Sequence, residues 1–382
     1  MTGKKKIILT VLASAVAASL LTLTGLYFML GLNHYKLAET MRLLGAMRFI
    51  ETHYVDQVDD VKLIDGAIAG MVKSLEDPHS LYLDQDMYKK LKDHTDGTFG
   101  GIGVVMSFND KKVEIISVMD GTPGQSAGLK EGDEILAVDG KSVQEMPPEE
   151  IAMNVRGDAG TQVVLTIRRQ GEPDKDYSIT RDVIPVKTAA EQMLPEGMGY
   201  IRIASFSENT GQEFKDSYAR LESQGMKGLI IDLRANPGGL ITSCVEIANM
   251  VVPKGEIVSV VDRDGNKEEH DSTLEESKYP IVVLIDANSA SASEILAGAL
   301  QDRQAATLVG TKSYGKGSVQ LVMPMLEGDA MKLTIAKYYT PSGRSIDGTG
   351  IEPDVAVDQD PNSRTDQQLL KAVEVLREKL NP

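Results

Sequence analysis

The chain has 382 residues, of which 42% are hydrophobic and 25% charged, a composition typical of a globular protein with two or three domains. Its formal net charge of −16 argues against a nucleic-acid partner, since nucleic-acid binders carry basic stripes. The single cysteine, Cys244, excludes an intrachain disulfide. None of the five histidines pairs at the spacing of a helical zinc motif, so we expect no metal and no cofactor.

The N-terminus has the pattern of a targeting segment. Lys4–Lys6 precede Ile7–Leu32, which contains no charged residue. A helix of that length, at about 1.5 Å per residue, exceeds the hydrocarbon core of a bilayer. We therefore interpret residues 1–35 as a signal-anchor that crosses the cell membrane once and leaves the rest of the chain outside the cytoplasm. The alternative is a cleaved signal and a secreted or periplasmic protein, because Ala13–Ala17 loosely fits a cleavage site.

Residues 36–95 are predicted to form a helical N-terminal region. Apolar residues recur there at steps of three and four, which gives one apolar face. The first run consists of Leu37, Met41, Leu44, Met47 and Ile50. A second run ends at Asp77-Pro78, because proline disfavours a helical residue before it. These helices carry no evident chemistry, and we expect them to pack or to pair protomers in a homodimer or larger homo-oligomer.

Residues 96–184 predict a small β-rich domain. Phe99–Val104 is a glycine-rich stretch that leads into a strand, and Gly128–Gly140 ends in an Asp-Gly turn. A helix then begins at Pro147-Pro148 with acidic residues in its first turn and closes near Gly157.

This order of elements resembles a PDZ domain. PDZ domains bind an extended peptide as an added strand, and their glycine-rich loop offers backbone N–H groups to the terminal carboxylate. Three glycines alone would predict only a tight turn, but the GLKEGDEILAVDG stretch that follows supports the resemblance. The resemblance implies the following peptide-binding residues: Gly100, Gly101, Ile102, Gly103 and Val104.

Residues 185–358 alternate strands and helices, which predicts an α/β core with a mixed sheet. Gly228–Leu233 and Ile281–Ile285 are continuous apolar runs, as buried strands would be. We expect Asp262–Ser277 to be a solvated loop and residues 359–382 to hold a final amphipathic helix. The whole chain is therefore predicted to be a multidomain α+β protein.

A candidate nucleophile, Ser291, lies in the segment Asn288–Ile295, after the buried strand Ile281–Ile285 and before a predicted helix. The N-terminus of a helix offers unpaired N–H groups and a partial positive charge. Such groups suit the oxyanion that forms when a serine attacks a carbonyl. Taken alone, however, a string of serines predicts a helix N-cap equally well.

A candidate base, Lys316, lies between glycines in Gly310–Gln320, just before an apolar strand. A lysine that points inward loses hydration, which lowers its pKa and lets it activate a serine. A surface charge is the alternative. A second glycine-rich turn, Leu233–Leu240, also follows a buried strand and has backbone N–H groups to offer to an oxyanion.

Four long motifs are similar to those of the C-terminal processing peptidases, also called tail-specific proteases. They are LRANPGGL at 233–240, SASASEILAGAL at 289–300, GTKSYGKGSVQ at 310–320 and YYTPSGRSIDGTGIEPD at 338–354. The resemblance covers nearly all of the chain after residue 35. It implies a serine endopeptidase with a crotonase- or Clp-protease-like core, which acts on extracytoplasmic proteins with free, apolar C-termini.

The resemblance also implies roles for single residues. Ser291 is the nucleophile of a Ser–Lys dyad, Lys316 the general base, and Gln320 the partner that orients the lysine. An arginine of the PDZ domain relays ligand binding to the active site, and Arg156 is the candidate, with a surface arginine at a helix end as the alternative.

The oxyanion hole implied by the resemblance consists of backbone N–H groups. One belongs to Ala292, and the other to Gly238 or Gly239. The sequence does not distinguish between the two glycines.

Three rival interpretations fit the sequence less well. A PDZ scaffold without activity would not need Ser291, Lys316 and Gln320 together. An α/β hydrolase would need a Gly-x-Ser-x-Gly motif and a partner histidine, and neither is evident. An enzyme based on Cys244 would need a nearby base, and Cys244 lies in a predicted helix with no histidine close in sequence.

Overall fold

A computed structural model describes residues 14–19, 21–22, 24–25, 34–109, 112–360 and 363–381. The chain divides into two compact units, Met1–Glu76 and Asp77–Pro382. Apart from three short stretches, the predicted membrane anchor Ile7–Leu32 lies outside the described residues. Within the described part of the chain, no helix combines the length and the apolar character needed to span a membrane.

The first unit contains helices α1 (His34–His53) and α2 (Asp60–Lys73). Asp59 stands directly before helix α2, and its carboxylate accepts the N–H groups of Val61 and Lys62 and so caps the helix. Several large apolar side chains of these helices are exposed: Met41, Phe49, Ile64 and Met71. The three- and four-residue periodicity predicted both helices.

The second unit contains the remaining elements. Its helices are α3 (Gln85–Asp96), α4 (Pro123–Ser126), α5 (Pro148–Val155), α6 (Thr210–Ser223), α7 (Ile241–Val251), α8 (Ala292–Asp302) and α9 (Gln367–Leu380), with 3-10 turns at Val143–Glu145 and Pro195–Gly197. Its strands are β1 (Leu81–Leu83), β2 (Thr98–Gly101), β3 (Val104–Asn109), β4 (Lys112–Val118), β5 (Glu134–Val138), β6 (Lys141–Ser142), β7 (Gln162–Arg168), β8 (Lys175–Thr180), β9 (Asp182–Pro185), β10 (Ala189–Leu194), β11 (Met198–Ile203), β12 (Gly228–Asp232), β13 (Gly255–Asp262), β14 (Lys267–Ser272), β15 (Ile281–Ile285), β16 (Ala306–Gly310), β17 (Ser318–Pro324), β18 (Ala330–Tyr339) and β19 (Val355–Ala356).

Strands β3 to β8 form an antiparallel sheet in the order β3-β4-β5-β7-β8, with β6 beside β5, while β2 pairs with β9. Strand β7 buries alternate residues, as a strand with one solvated face does. The β5–β6 hairpin turns at Asp139 and Gly140, which both have positive φ, as a type I′ turn requires. Helix α5 closes the core of this domain with Ile151 and Val155. The predicted β-rich domain is therefore confirmed.

The core of the chain from residue 189 onward contains a mixed sheet in the order β10-β11-β12-β15-β16-β19. Only the β10–β11 pair is antiparallel. Helices α6 to α8 cover one face and α9 the other, so β12 and β15 are buried at every residue. Because β12, β15 and β16 run parallel, the loops that follow them, 233–240, 286–291 and 311–317, emerge at one edge of the sheet.

A second sheet of the core has the order β1-β18-β13-β14, and β17 also pairs with β18. Two predictions are wrong here. Asp262–Ser277 is not a loop throughout: it contains a tight turn, which Asp262 closes by accepting the N–H groups of Asp264 and Asn266, and strand β14, and only residues 273–277 form a loop. Likewise, β1 lies in the region predicted to be helical, because Leu81–Leu83 pairs with β18.

Candidate active site

Ser291 stands at the turn between β15 and α8 with φ 54° and ψ −114°, a conformation that is rare for a residue other than glycine. The serines on either side have structural hydrogen bonds. Ser289 Oγ donates to the carbonyl of Leu233 at 2.8 Å, and Ser293 Oγ donates to the carbonyl of Asn236 at 3.0 Å. The outer serines thus fasten this turn to the loop that follows β12, and the middle serine is held at the junction in a strained conformation.

The glycine-rich loop after β12 packs directly on Ser291. A Cβ on Gly238 would lie 2.8 Å from the Cβ of Ser291, so only glycine fits. The N–H of Gly238 donates to Asn236 Oδ1 at 2.8 Å. Within the described residues, the N–H groups of Gly239 and Ala292 have no acceptor. Of the two candidate glycines, Gly239 is therefore the one with a free donor.

Lys316 lies in the loop between β16 and β17 and is half-buried. Burial lowers the pKa of Lys316, the positive charge of Lys332 lowers it further, and Glu294 acts in the opposite direction. Among the described residues, no carboxylate forms a salt bridge with its ammonium group. Burial and the charge of Lys332 thus shift the pKa of Lys316 in the direction of the neutral amine, which is the form that accepts a proton.

Glu294, which the sequence analysis missed, connects the two loops. Its side chain is fully buried and accepts four hydrogen bonds. Oε2 accepts the backbone N–H groups of Ser291 at 2.8 Å and Lys316 at 2.9 Å, and Oε1 accepts Ser313 Oγ at 2.6 Å and the N–H of Gly315 at 2.7 Å. The backbones of Ser291 and Lys316 thus meet at one oxygen atom.

The sequence did contain a signal for Glu294. It stands three residues after Ser291 at the start of a helix, which is the Ser-x-x-Glu pattern of a capping box. That pattern predicts the bond to the N–H of Ser291. It does not predict the bonds to the lysine loop, because those partners follow 19 to 22 residues later in the chain.

Gln320 lies on β17, opposite Thr334 of β18. Its Nε2 donates to Ser318 Oγ at 2.8 Å and to Thr334 Oγ1 at 3.3 Å. The structure therefore places Gln320 on the strand that continues from the Lys316 loop, with its amide nitrogen bonded to hydroxyl groups rather than to the lysine.

The predicted peptide-binding loop of the PDZ domain divides into two parts. Gly100 and Gly101 belong to β2, where the carbonyl of Gly100 accepts the N–H of Gly157 at 3.1 Å. Ile102 and Gly103 link β2 to β3, which begins at Val104, and among the described residues their N–H groups have no acceptor. The two linking residues are therefore the ones that present donors suited to a terminal carboxylate.

Arg156 ends helix α5, and its guanidinium lies 4.6 Å from the centroid of the Phe99 ring, within the range of a cation–π contact. It lines a cleft of about 720 Å³ together with Gly100 and Gly157. Ser291 does not line this cleft, which is thus separate from the serine turn.

Cys244 is fully buried in α7, where its thiol donates to the carbonyl of Ala292 at 3.3 Å. Burial raises the pKa of this thiol, which suppresses the reactive thiolate. Cys244 therefore packs behind the serine turn as a small apolar side chain. In the described part of the chain, no group of histidine, cysteine and acidic residues gathers as metal ligands do.

Comparison with known proteins shows the family of the chain. The family description "Peptidase family S41" matches residues 197–357, "Activating protease CtpB N-terminal domain" matches residues 32–87, and "PDZ domain" matches residues 114–169. These three matches span both units and include the loops that carry Ser291 and Lys316.

The chain is 43% identical over 318 residues to the carboxy-terminal-processing protease of Bartonella bacilliformis. The matched region covers 81% of this chain and 73% of the relative. It is 40% identical over 356 residues to the carboxy-terminal processing protease CtpA of Bacillus subtilis, covering 92% and 76% of the two chains. Among solved structures, the photosystem II D1 C-terminal processing protease superposes with a TM-score of 0.51 at 28% identity, covering 90% of this chain and 98% of that one. The chain therefore belongs to peptidase family S41 and is a serine peptidase of the carboxy-terminal processing type, with a PDZ domain.

Proposed function

We propose that this peptidase uses Ser291 as nucleophile and Lys316 as general base. The observation that carries the proposal is the pair of hydrogen bonds from the backbones of Ser291 and Lys316 to one oxygen of Glu294. The half-buried position of Lys316, which lowers its pKa, supports its role as the base.

The reaction follows from these positions. Neutral Lys316 takes the proton of the Ser291 hydroxyl as Oγ attacks the scissile carbonyl, and the N–H groups of Ala292 and Gly239 hold the oxyanion. Protonated Lys316 then gives its proton to the leaving amine. Water attacks the acyl-enzyme with Lys316 again as base, which releases the new C-terminus and restores Ser291.

The PDZ domain is proposed to select substrates by their C-termini. The free N–H groups of Ile102 and Gly103 offer two hydrogen bonds to a terminal carboxylate, and the adjacent strand β3 offers a partner for an added strand. Arg156, close to this loop, is the candidate relay between tail binding and activity. The names of the relatives refer to carboxy-terminal processing, which agrees with this choice of substrate.

The place of action is proposed from the N-terminal sequence. Three lysines followed by the uncharged stretch Ile7–Leu32 favour a single-pass anchor with the peptidase outside the cytoplasm, and release after signal cleavage is the alternative. The exposed apolar faces of α1 and α2 favour a homodimer or larger homo-oligomer.

The role of the PDZ domain can be tested with one unfolded substrate in two forms, with a free apolar C-terminus and with an amidated one. We expect amidation to lower kcat/KM about tenfold, because it removes the charge that the loop binds. Gly103→Ala should lower cleavage of the free form to the level of the amidated form, since Gly103 has φ 73° and no space for a Cβ.

Gly121→Ala is the matched control for this variant. Gly121 also has φ 73° and lies in the same domain, but a Cβ there would meet no neighbour. Gly121→Ala should leave the ratio of kcat/KM between the free and the amidated substrate unchanged. Equal losses on both substrates in Gly103→Ala would show that the PDZ loop does not read C-termini.

The pH dependence of kcat/KM tests Lys316 and its charged neighbours. Only the neutral amine is active, so the rate should rise with pH through the pKa of Lys316. Lys332 is half-buried, and its own pKa is lowered by burial and raised by Asp77. Lys332→Met removes a positive charge that lowers the pKa of Lys316, so that pKa should rise. The acidic limb of the pH–rate profile should therefore move to higher pH, and kcat/KM at pH 7 should fall severalfold.

Two controls separate charge from packing in this experiment. Lys332→Arg keeps the positive charge and should leave the limb in place. Lys337→Met removes a lysine of the same strand that pairs with Asp347 at 2.9 Å, and it should also have no effect on the limb. If Lys332→Met leaves the acidic limb where it is in the wild type, the charge of Lys332 does not act on the base.

A further inference from the structure

Strand β17 is an edge strand of the second sheet. Among the described residues it pairs with β18 alone, so one of its two sides has no partner strand. It begins at Ser318, two residues after Lys316. A free sheet edge therefore starts beside the proposed base.

Two hydrogen bonds show which backbone groups of β17 face this free edge. In an antiparallel pair, opposed residues alternate between those bonded to each other and those whose N–H and C=O groups face away. The N–H of Met325 donates to the carbonyl of Asp329 at 2.9 Å, so the pair at the turn is bonded. The N–H of Thr334, opposite Gln320, donates away from β17 to Ser80 Oγ at 3.0 Å. The N–H and C=O groups of Gln320 accordingly face the free edge.

The same alternation applies to the rest of the strand. Val322 and Pro324 follow Gln320 at steps of two, so their backbone groups face the free edge as well. Pro324 has no N–H to offer there. Within the described residues, the N–H groups of Gln320 and Val322 have no acceptor. The free edge thus presents donors near Lys316 and ends at a proline.

The composition of β17 is unusual for an edge strand. Charged residues or proline usually protect edge strands against pairing with other chains. Strand β14, at the other end of the same sheet, is charged at four of its six residues. Strand β17 has no charged residue, and its Leu321 and Met323 are exposed. Of the two protective devices it has only Pro324, which stands at the end far from Lys316 and leaves the near end open.

We propose that the open edge Ser318–Val322 binds the backbone of the substrate next to the scissile bond as an added strand. The inference rests on the proposed function, in which Ser291 and Lys316 cleave that bond, and it names a second substrate contact besides the PDZ loop. Backbone pairing accepts an extended chain whatever its side chains are, and it excludes folded segments. The open edge is about 13 Å long, which suits about four substrate residues.

An N-methyl scan of the substrate tests the pairing in the full-length wild type. An N-methyl group is placed in turn at each residue near the scissile bond, and the free apolar C-terminus is kept. Because alternate N–H groups of a strand face its partner, kcat/KM should fall about tenfold at every second residue on one side of the scissile bond. At the residues between them it should fall about twofold or less. Losses that do not alternate on either side overturn the inference.

Val322→Pro removes one donor of the edge. Because the N–H of Val322 faces away from β18, the change breaks no hydrogen bond between the two strands, and Pro324 already occupies an equivalent position. We expect kcat/KM for the unmodified substrate to fall about tenfold. The N-methyl penalty at one substrate residue, the partner of Val322, should then shrink to about twofold, because that pairing is already lost.

Val322→Ala is the matched control, since it shortens the side chain and keeps the N–H group. It should retain the full N-methyl penalty, as should Met323→Ala, which changes the exposed apolar face of the strand. The inference is wrong if Val322→Pro retains the full penalty at every substrate residue, or if Val322→Ala loses it too. The melting temperature checks the fold of each variant, and if Val322→Pro does not fold, the scan of the wild type decides alone.

Two other outcomes would assign the edge or the chemistry differently. A change in oligomeric state in Val322→Pro, with all N-methyl penalties unchanged, would show that the edge pairs with a second copy of the chain and would overturn the inference. A wild type that cleaves through Ser291 without alternating penalties contradicts only this inference. Cleavage by Ser291→Ala contradicts the proposed function itself.

Discussion

Ser291→Ala and Lys316→Met are each expected to lower kcat/KM by at least about 10³-fold, and the double variant should be no slower than the slower single variant. The two side chains act in one step, since the hydroxyl attacks only as its proton leaves. Once either is missing, the other contributes nothing to that step, whereas the oxyanion donors of Ala292 and Gly239 remain. Cleavage rates of the single and double variants on the substrate with the free apolar C-terminus, measured with excess enzyme, would show this lack of additivity.

Labelling by a serine-directed fluorophosphonate probe separates the two roles. The probe should modify the wild type, fail with Ser291→Ala, and react slowly with Lys316→Met, in which the hydroxyl is present but not activated. Lys312→Met is the control, because Lys312 lies in the same loop but pairs with Glu352 at 2.8 Å and is exposed. Normal labelling and cleavage by Lys316→Met would place the base elsewhere.

Much of the fold was predictable from the sequence because its signals are local. Continuous apolar runs predicted β12 and β15, since both faces of these strands are covered by helices. The Asp-Gly turn at Asp139 and the capping pattern at Ser291 are likewise properties of a few adjacent residues. Where the decisive partner was distant, the prediction failed: β1 exists because it pairs with β18, about 250 residues later.

The candidate site shows the same difference between features with a local sequence signal and features that depend on distant residues. The motifs predicted Ser291 and Lys316 as the site residues, but they could not choose between Gly238 and Gly239. That choice depends on the side chain of Asn236, which takes the N–H of Gly238. Glu294, which connects the two loops, was missed as well. It accepts hydrogen bonds from Ser313, Gly315 and Lys316, which follow 19 to 22 residues later, and no local spacing rule predicts those bonds.

Glu294→Gln is expected to have the second largest effect, on both stability and rate. The amide has nearly the same shape as the carboxylate but replaces one oxygen by an NH2 group, which would face two donors. Each buried donor left without an acceptor costs about 1–3 kcal/mol, so the free energy of unfolding should fall by about 2–6 kcal/mol. The loops of Ser291 and Lys316 would also separate, and misplacement by about 1 Å can lower kcat about 10²-fold.

Stability and rate have to be distinguished in this variant, and Glu213→Gln provides the comparison. Glu213 is a half-buried carboxylate that accepts the N–H and the hydroxyl of Thr188 and the N–H of Ala189, at 2.7, 2.9 and 2.9 Å. Glu213→Gln should lower the melting temperature, as Glu294→Gln does. At a temperature where both variants are folded, however, only Glu294→Gln should cleave slowly. If folded Glu294→Gln cleaves at the wild-type rate, Glu294 stabilises the core without positioning the dyad. A slow rate in folded Glu294→Gln alone would show that the alignment of nucleophile and base depends on this one buried carboxylate.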